Sequence, residues 1–174
     1  MVHGAPGDPW KGIQPDHSDE VVQALLAGVE EGTLVAGHTH LPMDRTVGRW
    51  RVLNPGSVGV PLDGRLAASY ALLEASGDDW QATIRRVPID PAPVLREFER
   101  QGFVEECGVI GRLVVEEFAT ARMQLVSFLN WHRACCPDEP LRMELFDEYR
   151  RADWRRYTPV AYRVDEGVSW QSGW

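Results

Sequence analysis

Gly37-His38-Thr39-His40 is the stretch of this chain best suited to chemistry. It follows an apolar run, Leu34-Val35-Ala36, and leads into Leu41-Pro42. On an extended segment, side chains at i and i+2 point to the same side, so His38 and His40 are expected to face one space. Neutral imidazole is the commonest metal ligand at physiological pH. The preceding glycine lets backbone come close to whatever sits there. The chain has five histidines. Two of them, clustered where a buried strand is expected to end, read as metal ligands; the plainer reading is a surface loop.

Two further segments bear on the choice. The chain opens Val2-His3-Gly4-Ala5-Pro6, and Asn54-Pro55-Gly56-Ser57-Val58-Gly59 lies downstream. His-Gly, then Gly-His-Thr-His-x-Pro, then Asn-Pro-Gly-Ser-Val-Gly, in this order, resembles the C-terminal half of a calcineurin-like metallophosphoesterase of the small bacterial type. The resemblance spans roughly residues 1 to 118, and it is the order of the three motifs that carries it. It implies two adjacent divalent metals (Mn, Fe, Zn or Ni) and hydrolysis of phosphate esters by a metal-bound hydroxide. It places His3 and His38 on one metal and His40 on the other. Gly37, Asn54, Gly56 and Ser57 would then belong to a loop that shapes the site without donating ligands.

The other half of the family's motif set is missing. Such enzymes carry an Asp-x-His, a Gly-Asp with a bridging aspartate, and a Gly-Asn-His that supplies the proton donor. Here Asp16 and His17 are adjacent, Gly7-Asp8 and Gly77-Asp78 stand elsewhere in the order, and Gly-Asn-His does not occur. No catalytic residue can therefore be assigned. Two dications 3.5–4 Å apart repel by roughly 20 kcal/mol at an effective dielectric of 20, and carboxylates must offset that. Asp44 is the nearest acid after the histidine loop. Three histidines suit at most one ion, such as Zn²⁺ with an open fourth position. The expectation is the C-terminal part of a dinuclear phosphoesterase, inactive as this fragment and completed by a missing N-terminal half. The alternative is a noncatalytic domain that binds a single metal or a protein.

Composition bounds the partners. The 174 residues are 44% hydrophobic and 25% charged, which is ordinary for a globular chain. The net charge of −8 disfavours nonspecific nucleic-acid binding and anionic membranes. It leaves phosphate esters open, because metals would supply local positive charge. No transmembrane run or signal pattern is visible. Cys107, Cys135 and Cys136 form no disulfide framework, which points to a reducing cytoplasm. His132-Arg133-Ala134-Cys135-Cys136 lacks a fourth zinc ligand and reads as a helix end. The interleaved Arg150-to-Tyr157 stretch reads as a solvated helix end rather than a phosphate-binding surface.

The elements that must position these residues follow from pattern. Ser18 caps a helix that Gly32 is placed to end. Thr33 to Ala36 is a buried strand. Met43–Val47 and Arg49–Leu53 form a hairpin about Gly48. Leu66–Glu74 and Trp80–Val87 are strands joined at Ser76 to Asp79. Residues 33 to 87 should thus form about four strands in a mainly antiparallel sheet. After Pro93, three apolar faces predict helices: Ile110, Leu113, Val114 and Phe118; Leu125, Phe128, Leu129 and His132; and Leu141, Leu145, Phe146 and Tyr149. The fold class is α+β with C-terminal helices, which the resemblance makes part of an α/β/β/α sandwich. Residues 1–90 would be the C-terminal half of the phosphoesterase core, and 91–174 a helical region packing on it.

Overall fold

The computed structural model describes residues 1–77 and 79–163. Asp78 and the aromatic tail ending at Trp174 lie outside the described residues. The chain is α+β with mostly antiparallel pairing and C-terminal helices. The described residues divide into two compact units: Met1–Pro61 with Ala67–Pro88, and Leu62–Leu66 with residues 89 to 163.

In the first unit, helix α1 (Asp19–Leu25) starts where Ser18 Oγ accepts the Val21 N–H, with Asp19 and Glu20 in its first turn. It ends well before Gly32. The Leu26 N–H closes the last turn on the Val22 carbonyl, and Gly28 (φ 87°) supplies the left-handed residue expected of Gly32. Strands β1 (Thr33–Val35), β2 (Met43–Val47) and β3 (Trp50–Asn54) form one sheet in the order β1-β3-β2. The β2–β3 pair is the expected hairpin. Val47 faces Trp50 across a two-residue turn, and Gly48 takes φ 57°. β1 lies parallel to β3, with Leu34 opposite Val52. Turn signals could not reveal that pairing, because it depends on a crossover rather than on a local connection.

Strands β4 (Ala67–Ser76) and β5 (Asp79–Pro88) make a separate two-stranded ribbon, in register from Ala67–Pro88 to Ser76–Asp79. The single four-stranded sheet of the sequence reading is thus two sheets with five strands. Apolar side chains from α1, β1, β2 and β3 (Val22, Leu26, Leu34, Val47 and Val52) form the core with Ala5, Ile13 and Ala36. The histidine loop therefore leaves β1 from a packed base.

The second unit holds helices α2 (Ala92–Arg100), α3 (Phe103–Thr120), α4 (Leu125–Cys135) and α5 (Glu144–Arg151), then two short 3₁₀ turns. Helix α3 breaks at Gly108 (φ 58°, ψ −140°). Its buried stripe is Val109, Leu113 and Glu117, one position off the predicted face of Ile110, Leu113, Val114 and Phe118. Leu141 lies before α5 and is exposed. Phe128, Trp131, Leu145 and Tyr149 close this core. Glu117 caps α4 from α3: its Oε1 accepts the Gln124 and Leu125 N–H groups, each at 2.8 Å.

Candidate metal centre

The N-terminal segment runs along the end of β1. The Val2 N–H donates to the Val35 carbonyl (2.9 Å), and the Gly37 N–H donates to the His3 carbonyl (2.8 Å). A Cβ at Gly37 would stand 3.3 Å from that carbonyl, so a small residue keeps His3 close to the strand end. The loop is not extended, as the i, i+2 argument assumed. His38 (φ 68°) and His40 (φ 59°) are both left-handed. The Thr39 N–H donates to the Gly37 carbonyl at 2.8 Å, closing a γ-turn of the rarer, strained hand on His38. Each such residue costs about 1–3 kcal/mol, and such strain clusters at functional sites.

Buried polar contacts hold the loop in this shape. Asn54, fully buried at the end of β3, donates to the Gly37 carbonyl and to Thr39 Oγ1, both at 2.9 Å. Its Oδ1 accepts the Gly56 N–H at 2.9 Å. Gly56 needs to be glycine: it has φ 83°, and a Cβ there would sit 2.8 Å from Ser69 Cβ and 2.9 Å from Pro42 Cγ. Ser57 Oγ accepts the Val60 N–H at 3.0 Å, and the Val60 carbonyl meets His40 Nδ1 at 2.8 Å. A carbonyl only accepts, so His40 Nδ1 is the donor, and Nε2 is the ring nitrogen left for a metal.

His3 and His38 meet directly. His3 Nε2 and His38 Nδ1 are 3.1 Å apart, and the rings stand edge-on at 84° with centroids 5.1 Å apart. Burial holds the His38 imidazole below its ordinary pKa; charges on His3 and His40 add to this, and Asp8 partly opposes it. The neutral, lone-pair-bearing form is thereby favoured. Two nitrogens at 2.0–2.1 Å from one tetrahedral ion lie about 3.3 Å apart, so the His3–His38 spacing fits two ligands of a single metal. His40 lies within electrostatic reach of His38. Among the described residues, no group of three or more His, Cys, Asp or Glu side chains is arranged to hold an ion. The donor set therefore fits part of one site and not a carboxylate-bridged metal pair.

Three participants carried no sequence signal strong enough to single them out. Asp8 lies within electrostatic reach of His38. A Cβ on Gly12 would fall 3.0 Å from His38 Cδ2 and 2.6 Å from Thr39 Cγ2, so Gly12 backs the histidine ring. Val60 acts through its carbonyl, which any residue type has. Asp44 is engaged elsewhere, in a two-pronged ion pair with Arg51 at 2.9 and 2.7 Å. In the second unit, His132 Nε2 bonds to the Glu139 carbonyl at 2.8 Å and its ring stacks on Phe128. The cysteines are free, and Cys135 Sγ contacts the Tyr157 hydroxyl at 3.3 Å. Arg155 and Arg156 lie over Trp154 and Tyr157, as in a self-contained helix end. No helix among the described residues is long and apolar enough to cross a membrane.

The resemblance carried by the three motifs holds against known proteins. Residues 1–78 match the model of the calcineurin-like phosphoesterase superfamily domain. A solved hypothetical protein from Pyrococcus horikoshii OT3 is similar at 27% identity with a TM-score of 0.53, over 60% of this chain and 42% of that one. The crystal structure of a metallophosphoesterase from Sphaerobacter thermophilus shares the fold at 23% identity with a TM-score of 0.53, over 69% of this chain and 54% of that one. The chain thus spans about half the length of these two structures. No curated protein matches it significantly.

Proposed function

We propose that this chain is the C-terminal part of a dinuclear metal-dependent phosphoesterase, acting on phosphate esters once carboxylates from outside residues 1–174 complete the metal pair. The observation that carries this reading is the His3–His38 contact at 3.1 Å, on a segment that matches the phosphoesterase domain. His3 and His38 would hold one ion, and His40, its tautomer fixed by Val60, would serve the second. When bound, the metals supply Lewis acidity toward phosphoryl oxygens and activation of water. The protein's own part is to hold three imidazoles in place. Asn54, Gly56 and Ser57 do this by bracing the backbone that carries them. Residues 1–90 would form the phosphoesterase-like part and 91–174 a helical region. The free cysteines agree with a cytoplasmic setting.

By itself the chain should bind one Zn²⁺ and turn over no phosphate ester, because it offers neither a bridging carboxylate nor a proton donor. Calorimetric titration with Zn²⁺ should show one site that His38→Ala removes. Turnover of bis-p-nitrophenyl phosphate and p-nitrophenyl phosphate with Mn²⁺ should stay at background. Metal-dependent turnover lost in His38→Ala would refute the inactivity. Failure of the completed protein to bind any divalent metal would refute the phosphoesterase reading. A protein-binding role would then take its place, favoured by the exposed Leu72, Leu73 and Trp80 on the ribbon.

A further inference from the structure

Helices α3 and α5 leave an open groove of about 290 Å³, lined by Val104, Arg112, Met143, Phe146 and Asp147. All five belong to the second unit. The groove takes Val104 from before the break in α3 at Gly108 and Arg112 from after it. At φ 58° and ψ −140°, Gly108 holds a backbone state that side chains disfavour. Along α5, Leu145 and Tyr149 are buried in the core, and Phe146 and Asp147 are left to the groove.

The groove and its rim carry complementary features side by side. Val104, Met143 and Phe146 give it apolar walls. Met143 is 40% exposed, and Leu141, two residues before it, is 47% exposed. An apolar hollow and an apolar projection thus share one patch. Both signs of charge are present too. Arg112 lies over the Phe146 ring, 5.2 Å from its centroid, and among the described residues its side chain donates only from Nη2 to Glu116, at 2.9 Å. A guanidinium has five N–H donors, so most of that capacity is unspent. Asp147 is exposed and enters no ion pair among the described residues.

A patch of this kind is complementary to itself. In a two-fold dimer the same surface faces its copy, so each residue i that meets j is matched by a j that meets i. The hollow then receives the projection and the cation meets the carboxylate, each twice. A partner carrying one sign of charge would meet repulsion at either Arg112 or Asp147. We propose that this groove is the interface of a homodimer. Leu141 of each copy seats against the partner's Val104 and Phe146, and Arg112 pairs with the partner's Asp147. The occupant is a second copy of this chain. No metal or substrate takes part, so the dimer stands apart from the phosphoesterase reading.

The test is sedimentation equilibrium of the full chain over a range of concentrations, at low and high salt. A reversible monomer–dimer equilibrium in the micromolar range, weaker at high salt, is expected. Arg112→Glu and Asp147→Arg each set like charges opposite one another at both symmetric contacts, and each should weaken the dimer by about 10-fold or more. Combining the two substitutions restores opposite charges and should return the affinity to near that of the unaltered chain. That recovery also shows that neither single variant has merely unfolded. Leu141→Ser should weaken the dimer and leave its salt dependence as it was. A monomer at every concentration would overturn the homodimer. So would a dimer that none of the charge variants alters, since its contact would lie elsewhere on the chain. Loss in both single variants without recovery in the combined one would overturn it as well, because Arg112 and Asp147 would then not face each other.

Discussion

Replacing Asn54 with alanine should loosen the histidine loop more than any change to the histidines themselves. The Asn54 side chain makes three hydrogen bonds of 2.9 Å from a fully buried position. In Asn54→Ala, the Gly37 carbonyl keeps its Thr39 N–H partner, and Thr39 Oγ1 keeps the Leu41 N–H at 3.4 Å. Those two losses cost about 1 kcal/mol each, whereas the Gly56 N–H loses its side-chain acceptor at about 1–3 kcal/mol. The total is about 3–5 kcal/mol, comparable to the strain held in His38 and His40. With a urea m-value of about 1–3 kcal/mol/M, the midpoint of the first unit should fall by 1 M or more. The assay pairs urea unfolding with Zn²⁺ titration, and the variant should lose both stability and zinc affinity. A midpoint shift well under 0.5 M would show that Asn54 does not hold this loop. A full shift with native zinc affinity would show that the strained turn is not what presents the imidazoles.

Gly12→Ala should displace the His38 ring and strain the loop, since the new methyl would stand 2.6 Å from the buried Thr39 Cγ2 and 3.0 Å from His38 Cδ2; weaker Zn²⁺ binding together with a lowered urea midpoint is the expected result. Glu117→Ala removes the cap on α4 and leaves the Gln124 and Leu125 N–H groups without it, which should cost the second unit about 2–3 kcal/mol by urea unfolding. Burial raises the Tyr149 phenol above its ordinary pKa. The unfolded chain therefore ionises first above about pH 10, binds fewer protons than the folded one, and stability falls as pH rises toward the folded value, by at most about 1.4 kcal/mol per unit. Tyr149→Phe should flatten that alkaline slope in melts between pH 9 and 11.

What the sequence made legible was local. Ser18 and Gly48 act within a few residues, and helix start and hairpin appeared where those signals put them, whereas of the predicted α4 face only Phe128 is buried, beside Ser127 and Trp131. The motif order pointed to His3, His38 and His40. The reason first given for His38 and His40 to share a side was mistaken, because both are left-handed and the γ-turn sets their direction. The missed features depend on distant partners. The Val60 carbonyl reaches His40 across 20 residues, Gly12 meets His38 across 26, and β1 finds β3 by a parallel crossover. A glycine that backs a ring and a glycine that ends a helix look the same in one sequence, as Gly12, Gly28 and Gly32 show.

The ribbon has a consequence for how the chain assembles. Leu62–Leu66 belongs to the second unit, but the 22 residues of β4, β5 and their turn separate it from Ile89, where that unit resumes. Bringing the ends of a free 22-residue loop together would cost about 3 kcal/mol of chain entropy plus a constant. The hairpin removes much of that search. Because Ala67 pairs with Pro88, residues 66 and 89 arrive side by side, and the Ile89 N–H bonds the Leu66 carbonyl at 3.0 Å. The ribbon thus works as a zipper whose last tooth opens the next unit. A slip of its register would also misalign the seam on which the Gly64 N–H reaches the Ala121 carbonyl at 2.7 Å. Refolding of the helices should therefore lag behind closure of the hairpin.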